Sequence, residues 1–308
     1  MRHFLFAFVF LGLMGCLSGV AGCKKQDPTQ KAPQDVTAAP HIERIPPDTS
    51  PPEDPVRHFE DAAKALSYII EHTAPSILGF GEYHQQDRTV GTRSSLKRFT
   101  EELLPVMKDS LSDLVVETWI SSGNCGKQEA AVTSDVAEVT QRPEATEDET
   151  VALIQKAAKL GIRPRVLKME CDDYEKLQDD GGVDYLALLT LIGKRLGESA
   201  KTALKERMNQ GSATPPKGIA IFGGAIHNDA DPSEMWADVS FGGALREVSP
   251  RYVEVDLYVP EFIRNSSIAK KEPWFPMFQR HVSSEKVTLI EQGPRAFIII
   301  FKENVVVK

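Results

Sequence analysis

Two histidines and two carboxylates stand in positions where side chains do chemistry. Glu82 and His84 lie in Gly81-Glu82-Tyr83-His84, Glu117 closes Leu114-Val115-Val116-Glu117, and His227 ends Gly223-Gly224-Ala225-Ile226-His227, with Asn228 and Asp229 directly behind it. Imidazole and carboxylate are the ligands of zinc or manganese when one coordination position must stay open for water, and His84, Glu117 and His227 form such a set. The same groups suit metal-free hydrolysis, in which a histidine takes a proton from water and a carboxylate orients it. Glycines ahead of each histidine would let the backbone turn sharply and leave room for a ligand. A lone GxxH or a glutamate at a strand end is commonplace. Four such residues at equivalent strand ends predict one site.

The elements that must position them are strands alternating with helices. Apolar runs at Ile77 to Phe80, Leu114 to Val116, Pro164 to Met169 and Gly218 to Phe222 predict strands. Helical spacing separates them at about His58 to His72, Ser94 to Lys108, Glu149 to Leu160 and Tyr185 to Asn209. This alternation predicts an α/β fold with a mainly parallel sheet, helices on both faces. Tyr252 to Val259, Lys286 to Ile290 and Ala296 to Lys302 follow with little helix between them, which predicts antiparallel strands at one edge. Right-handed crossovers bring the ends of parallel strands to one side, where ligands collect in open α/β sheets.

Other residues fit blander roles. His58 and His72 are expected on a helix facing solvent, His281 in an irregular segment, and Trp119 in the core. The polar stretch from Ile120 to Thr150 has the length of a lid over the site. Cys125 and Cys171 follow neighbouring strands and are expected to form a disulfide, which would pin that lid.

The first residues fix the compartment. Arg2, the apolar run Phe4 to Met14 and Val20-Ala21-Gly22-Cys23 have the form of an export signal ending in a lipobox, with residues 1–22 removed and Cys23 lipidated. Leu13-Met14-Gly15-Cys16 is a weaker alternative, and the run is too short to span a bilayer. Residues 23–55, rich in Pro, Gln, Asp, Thr and Lys, predict an extended tether, and residues 56–308 a single domain. The expected location is the bacterial cell envelope, outside the cytoplasm, with the membrane as partner through the lipid anchor. A net charge of −8 and the lack of a basic face argue against a nucleic-acid partner, leaving a small-molecule or peptide ligand.

Gly-Glu-x-His after a strand, a second strand ending in Glu and Gly-x-x-His after a late strand resemble the superfamily that joins erythromycin esterases, ChaN-like haem-binding lipoproteins and TIKI/TraB proteins. The similarity spans about Val56 to Val259, and the Gly81-to-His84 spacing is closer to the ChaN-like branch. The resemblance implies a metal-dependent protease using His84, His227 and Glu117, or an esterase using Glu82, His84, Glu117 and His227, with Arg88 or Arg93 facing the substrate's developing charge. It alternatively implies a haem or metal carrier in iron uptake, with Tyr83 or His84 as haem ligand. Hydrolysis of an ester, lactone or peptide is the leading expectation.

Overall fold

Apolar side chains along the central strands sort by parity into two layers. Leu78, Phe80, Leu114, Val116, Ala220 and Phe222 face one, while Ile77, Val115, Ile219 and Ile221 face the other. That is the pattern of strands covered on both sides. The computed structural model describes residues 55–179, 182–209 and 217–304, so the export signal, Cys23 and almost all of the tether lie outside the described residues.

In chain order the elements are β1 (Val56–Phe59), α1 (Ala62–Thr73), β2 (Ile77–Glu82), α2 (Ser95–Arg98), β3 (Leu111–Ser121), α3 (Gly126–Thr140), α4 (Ala145–Lys159), β4 (Arg163–Met169) and α5 (Cys171–Lys176). There follow β5 (Gln178–Asp179), β6 (Gly182–Val183), α6 (Tyr185–Met208), β7 (Gly218–Gly224), α7 (Ala225–Asn228), α8 (Gly242–Val248), β8 (Tyr252–Tyr258), α9 (Pro260–Ile263), α10 (Phe275–His281), β9 (Val287–Gly293) and β10 (Ala296–Ile300). Eight strands form one sheet in the order β1-β9-β10-β8-β2-β7-β3-β4. The run from β10 to β4 is parallel, and β9 is antiparallel to both β10 and β1. The mainly parallel α/β sheet with antiparallel pairing near one edge is therefore present. Its outermost strand there is the N-terminal β1.

Helices α1, α2 and α4 pack on the Phe80 face, and α3, α5, α6 and α8 on the Ile77 face. This division matters at the centre of the sheet. From β2 the chain leaves through α2 on one face toward β3; from the adjacent β7 it leaves through α8 on the other face toward β8. Neighbouring strands whose chains part to opposite faces open a crevice at their carboxyl ends, the position of ligand sites in open α/β sheets.

Three local expectations are corrected. His58 lies on β1, not on a helix; α1 starts at Ala62, capped by the Asp61 carboxylate accepting from Lys64 N–H. The stretch from Ile120 to Thr150 is no loop, since it contains α3 and the start of α4. The helix expected over Ser94 to Lys108 breaks after α2 into a π turn (Phe99–Leu103) and a 3₁₀ turn (Leu104–Met107), because Pro105 has no N–H to continue the ladder. Cys125 and Cys171 stand at disulfide distance, with Cα atoms 5.0 Å apart and 46 positions apart in sequence. The bridge joins the first turns of α3 and α5.

Candidate functional site

Glu82 ends β2, His84 follows it, Glu117 lies within β3 and His227 sits in α7 immediately after β7. All four are buried, and they gather around Gly224. A Cβ on Gly224 would come 2.7 Å from His84 Nε2 and 3.7 Å from Glu117 Oε2, and one on Gly223 would strike the Glu117 carboxylate. Neither glycine has positive φ, so close approach and not a special turn is what requires them. The expectation of a sharp turn is corrected to one of space.

Each imidazole is oriented through Nδ1. His227 Nδ1 donates to the Val239 carbonyl at 3.0 Å, since a carbonyl can only accept. Its Nε2 therefore bears the lone pair and faces Glu117 Oε1 at 3.7 Å. His84 Nδ1 lies 2.8 Å from Glu82 Oε1; toward an ionised Glu82 it donates, leaving the lone pair on Nε2, the ring atom beside Gly224. Glu117 Oε2 accepts the Gly224 N–H at 2.5 Å. Its Oε1 has no hydrogen-bond partner among the described residues.

Burial drives every member toward its neutral form. It raises Glu82 to about 7, against Arg142, which favours the anion. It raises Glu117 to about 8, against the Gly224 N–H and Arg142. It holds His84 well below the usual imidazole range, assisted by Arg142 and His227, and lowers His227 to about 4. At neutral pH the cluster thus contains neutral imidazoles, a protonated Glu117 and a Glu82 near its midpoint.

Arg142 is the member that sequence reasoning missed. It falls between α3 and α4: Gln141 caps α3 in the left-handed region with φ 45°, and Pro143 forbids the helix from continuing. The reversal turns the guanidinium inward, where it is 10% exposed and lies 3.6 Å from Glu82 Oε1. Burial lowers it to about 9, opposed by Glu82, Glu117 and Glu149, so it remains a cation. A basic residue beside a proline in a polar stretch carries no signature that would have singled it out. The stretch read as a lid is instead a helical arm that delivers this charge, tied to the segment after β2 by the Asp87 N–H donating to the Gln141 carbonyl at 2.9 Å.

Arg88 and Arg93 are not at the cluster. Both are exposed, and Arg93 pairs with Glu101 and Glu102. The Tyr83 hydroxyl donates to Ser266 Oγ at 3.0 Å. Asn228 Nδ2 donates to the Gly79 carbonyl of β2, and burial raises Asp229 above its ordinary range. Among the described residues no group of three or more His, Cys, Asp or Glu is arranged to hold a metal ion. Elsewhere, His58 and His281 lie with ring centroids 5.9 Å apart at the β1 edge, His72 is exposed on α1, and Trp119 is fully buried core.

No protein-family model matches the chain, and no curated protein matches it. Among solved structures the chain is similar to the type III effector HopBA1, over 84% of this chain and 100% of that one, at 12% identity and a TM-score of 0.41. A likeness of that size carries no inference about activity.

Proposed function

We propose that this chain is a lipid-anchored, extracytoplasmic hydrolase of an ester or peptide, in which His84 is the general base and Glu117 the general acid. The observation that carries the reading is the orientation of the two imidazoles, each held at Nδ1 by an acceptor, with His84 Nε2 beside Gly224 and His227 Nε2 beside the Glu117 carboxyl that accepts from the Gly224 N–H. A neutral base and a neutral acid kept apart in role by their surroundings are what acid–base catalysis at neutral pH requires. His84 Nε2 takes a proton from water as the resulting hydroxide adds to the substrate carbonyl, and Glu82 supports the imidazolium. Arg142 stabilises the oxyanion. Collapse breaks the bond to the leaving oxygen or nitrogen, which takes the Glu117 proton, and the proton on His84 returns to Glu117. The products are an acid and an alcohol or amine.

The Cys125–Cys171 pair supports export, because such bridges persist in oxidising compartments. Acylation of Cys23 is the matching proposal for the N-terminus. Palmitate should label the wild-type chain and not a Cys23→Ser variant; continued labelling of that variant would refute it.

The catalytic reading is tested by assaying purified protein against a panel of chromogenic esters and short peptides, together with elemental analysis and a haem titration. Hydrolysis by wild type that drops by about 10² to 10⁴ in His84→Ala and His227→Ala, with the fold intact by circular dichroism, is expected. Stoichiometric zinc or manganese that both variants lose would make the site metal-dependent. A saturable Soret shift without hydrolysis would turn the assignment to a haem carrier. Variants as active as wild type would place the chemistry elsewhere.

A further inference from the structure

The outermost strand β1 lies four places from β2 in the sheet, well outside the cluster. His58 is exposed on it and stands directly across from Thr288 of β9. His281 ends α10 and is half-buried. The two imidazoles have ring centroids 5.9 Å apart, with their planes tilted by 42°. Thr288 serves both residues: its Oγ1 lies 2.8 Å from the His281 carbonyl and 3.3 Å from His58 Nδ1. Among the described residues no hydrogen bond engages His58 Nε2 or either ring nitrogen of His281.

The hydrogens available at Thr288 fix the His58 tautomer. Two oxygens 2.8 Å apart need a hydrogen between them; the carbonyl has none, so the single hydroxyl hydrogen of Thr288 is committed to His281. At the 3.3 Å contact Thr288 Oγ1 can then only accept, and His58 Nδ1 donates. His58 Nε2 therefore bears the lone pair. An imidazole whose Nδ1–H is held by a protein acceptor, with Nε2 turned to solvent, is arranged as metal-ligating histidines are. The spacing of the rings agrees. With a metal–nitrogen bond of about 2.0 Å each centroid lies about 3.2 Å from the ion, so two ligated rings have centroids from about 4.5 Å apart when adjacent to about 6.4 Å when opposed. The observed 5.9 Å falls inside that range.

We propose that His58 and His281 bind a late first-row divalent ion, copper(II) most tightly, with water in the remaining coordination positions. Two imidazoles with water oxygens suit tetragonal copper, and for a given set of nitrogen and oxygen donors copper(II) binds more strongly than its first-row neighbours. Thr288 does not touch the ion; it orients His58 through Nδ1 and holds His281 through the backbone carbonyl. The ion joins β1 to α10. Because β1 has four residues and pairs only with β9, this crosslink secures the edge of the sheet, and binding to the folded chain alone adds stability by mass action. The assignment is independent of the hydrolase reading.

The test titrates the purified full chain, carrying no added histidine tag, with copper(II) alone, followed by calorimetry and electron paramagnetic resonance. One equivalent should bind with two imidazole nitrogens coupled to the copper and should raise the urea midpoint. His58→Ala and His281→Ala should each remove one imidazole from the spectrum and weaken binding, while His84→Ala leaves the signature intact. Thr288→Val keeps both imidazoles and should still weaken binding by about tenfold, because His58 Nδ1 loses its acceptor. A two-imidazole spectrum that survives in His58→Ala or His281→Ala overturns the proposal, and so does one that vanishes in His84→Ala, which would put the ion at the catalytic cluster. Wild-type affinity in Thr288→Val overturns the role of Thr288. If Thr288→Val fails to fold, the two histidine variants decide, since both rings reach the surface.

Discussion

Asp113 and Glu117 lie four residues apart on β3, both nearly inaccessible, yet their protonation is driven in opposite directions. Burial pushes Asp113 up, but the Arg163, Ser112 and Arg165 donors outweigh it and hold the carboxyl below its ordinary range. Burial pushes Glu117 up to about 8, and one backbone N–H with a distant guanidinium does not compensate. Arg163 and Arg165 each place Nε on Asp113 Oδ1, at 2.6 and 2.7 Å, and both extend to Glu206 on α6. The amino end of the sheet thus spends its charges on one another. At the carboxyl end they are kept unsaturated, which is a structural liability and the condition for reactivity.

The largest effect should come from the bond that secures the arm over the carboxyl end. Helix α3 buries little apolar surface, with Val132 and Val136 its main contacts, so the Cys125–Cys171 bridge and the Tyr185 hydroxyl to Asp135 carbonyl bond do much of the holding. Cys125→Ser with Cys171→Ser should lower stability by roughly 3 to 4 kcal/mol in the chain-entropy treatment of a 46-residue separation, measured by urea unfolding. A loss below about 1 kcal/mol would show that packing alone seats the arm. Next in size is Asp113→Asn, expected to lose about 2 kcal/mol because it removes charge-assisted bonds from two arginines that solvent can partly recover. Activity should survive that change, since the residue lies at the other end of the sheet.

The same contrast explains what the sequence disclosed. Parallel strands buried on both faces appear as apolar runs, so β2, β3, β4 and β7 were legible with errors of a few residues, and the strand ends brought Glu82, His84, Glu117 and His227 together. Cys125 and Cys171 were legible because each lies just beyond the end of one of two neighbouring strands. β1 was not, because its exposed Arg57 and His58 conceal a short edge strand completed only by pairing with β9, far away in sequence. Arg142 escaped because its inward turn depends on Gln141 and Pro143 acting within a polar segment, where no periodicity marks a buried charge.

The smallest effect sharpens the comparison most, and it is a slope, not a loss. Glu82 and Glu117 have folded values of about 7 and 8, raised from 4.5, so the stability they contribute is present at low pH and is lost as pH rises through those values. His84 and His227 are depressed, so their contribution is present above the ordinary imidazole value of 6.5 and is lost as pH falls toward the folded value, about 4 for His227. Between about pH 4.5 and 6.5 the two pairs oppose each other, and above about pH 6.5 only the carboxyls still act. Asp113, lowered from 3.8, contributes no slope there, since it is ionised in both folded and unfolded chains. Wild-type stability should therefore decline from about pH 6.5 to 8, and Glu117→Gln, which ionises in neither state, should remove about 1 to 2 kcal/mol of that decline. Urea midpoints across this range provide the measurement. An equal decline in Glu117→Gln would mean that Glu117 is ionised throughout, and the cluster would lose its general acid.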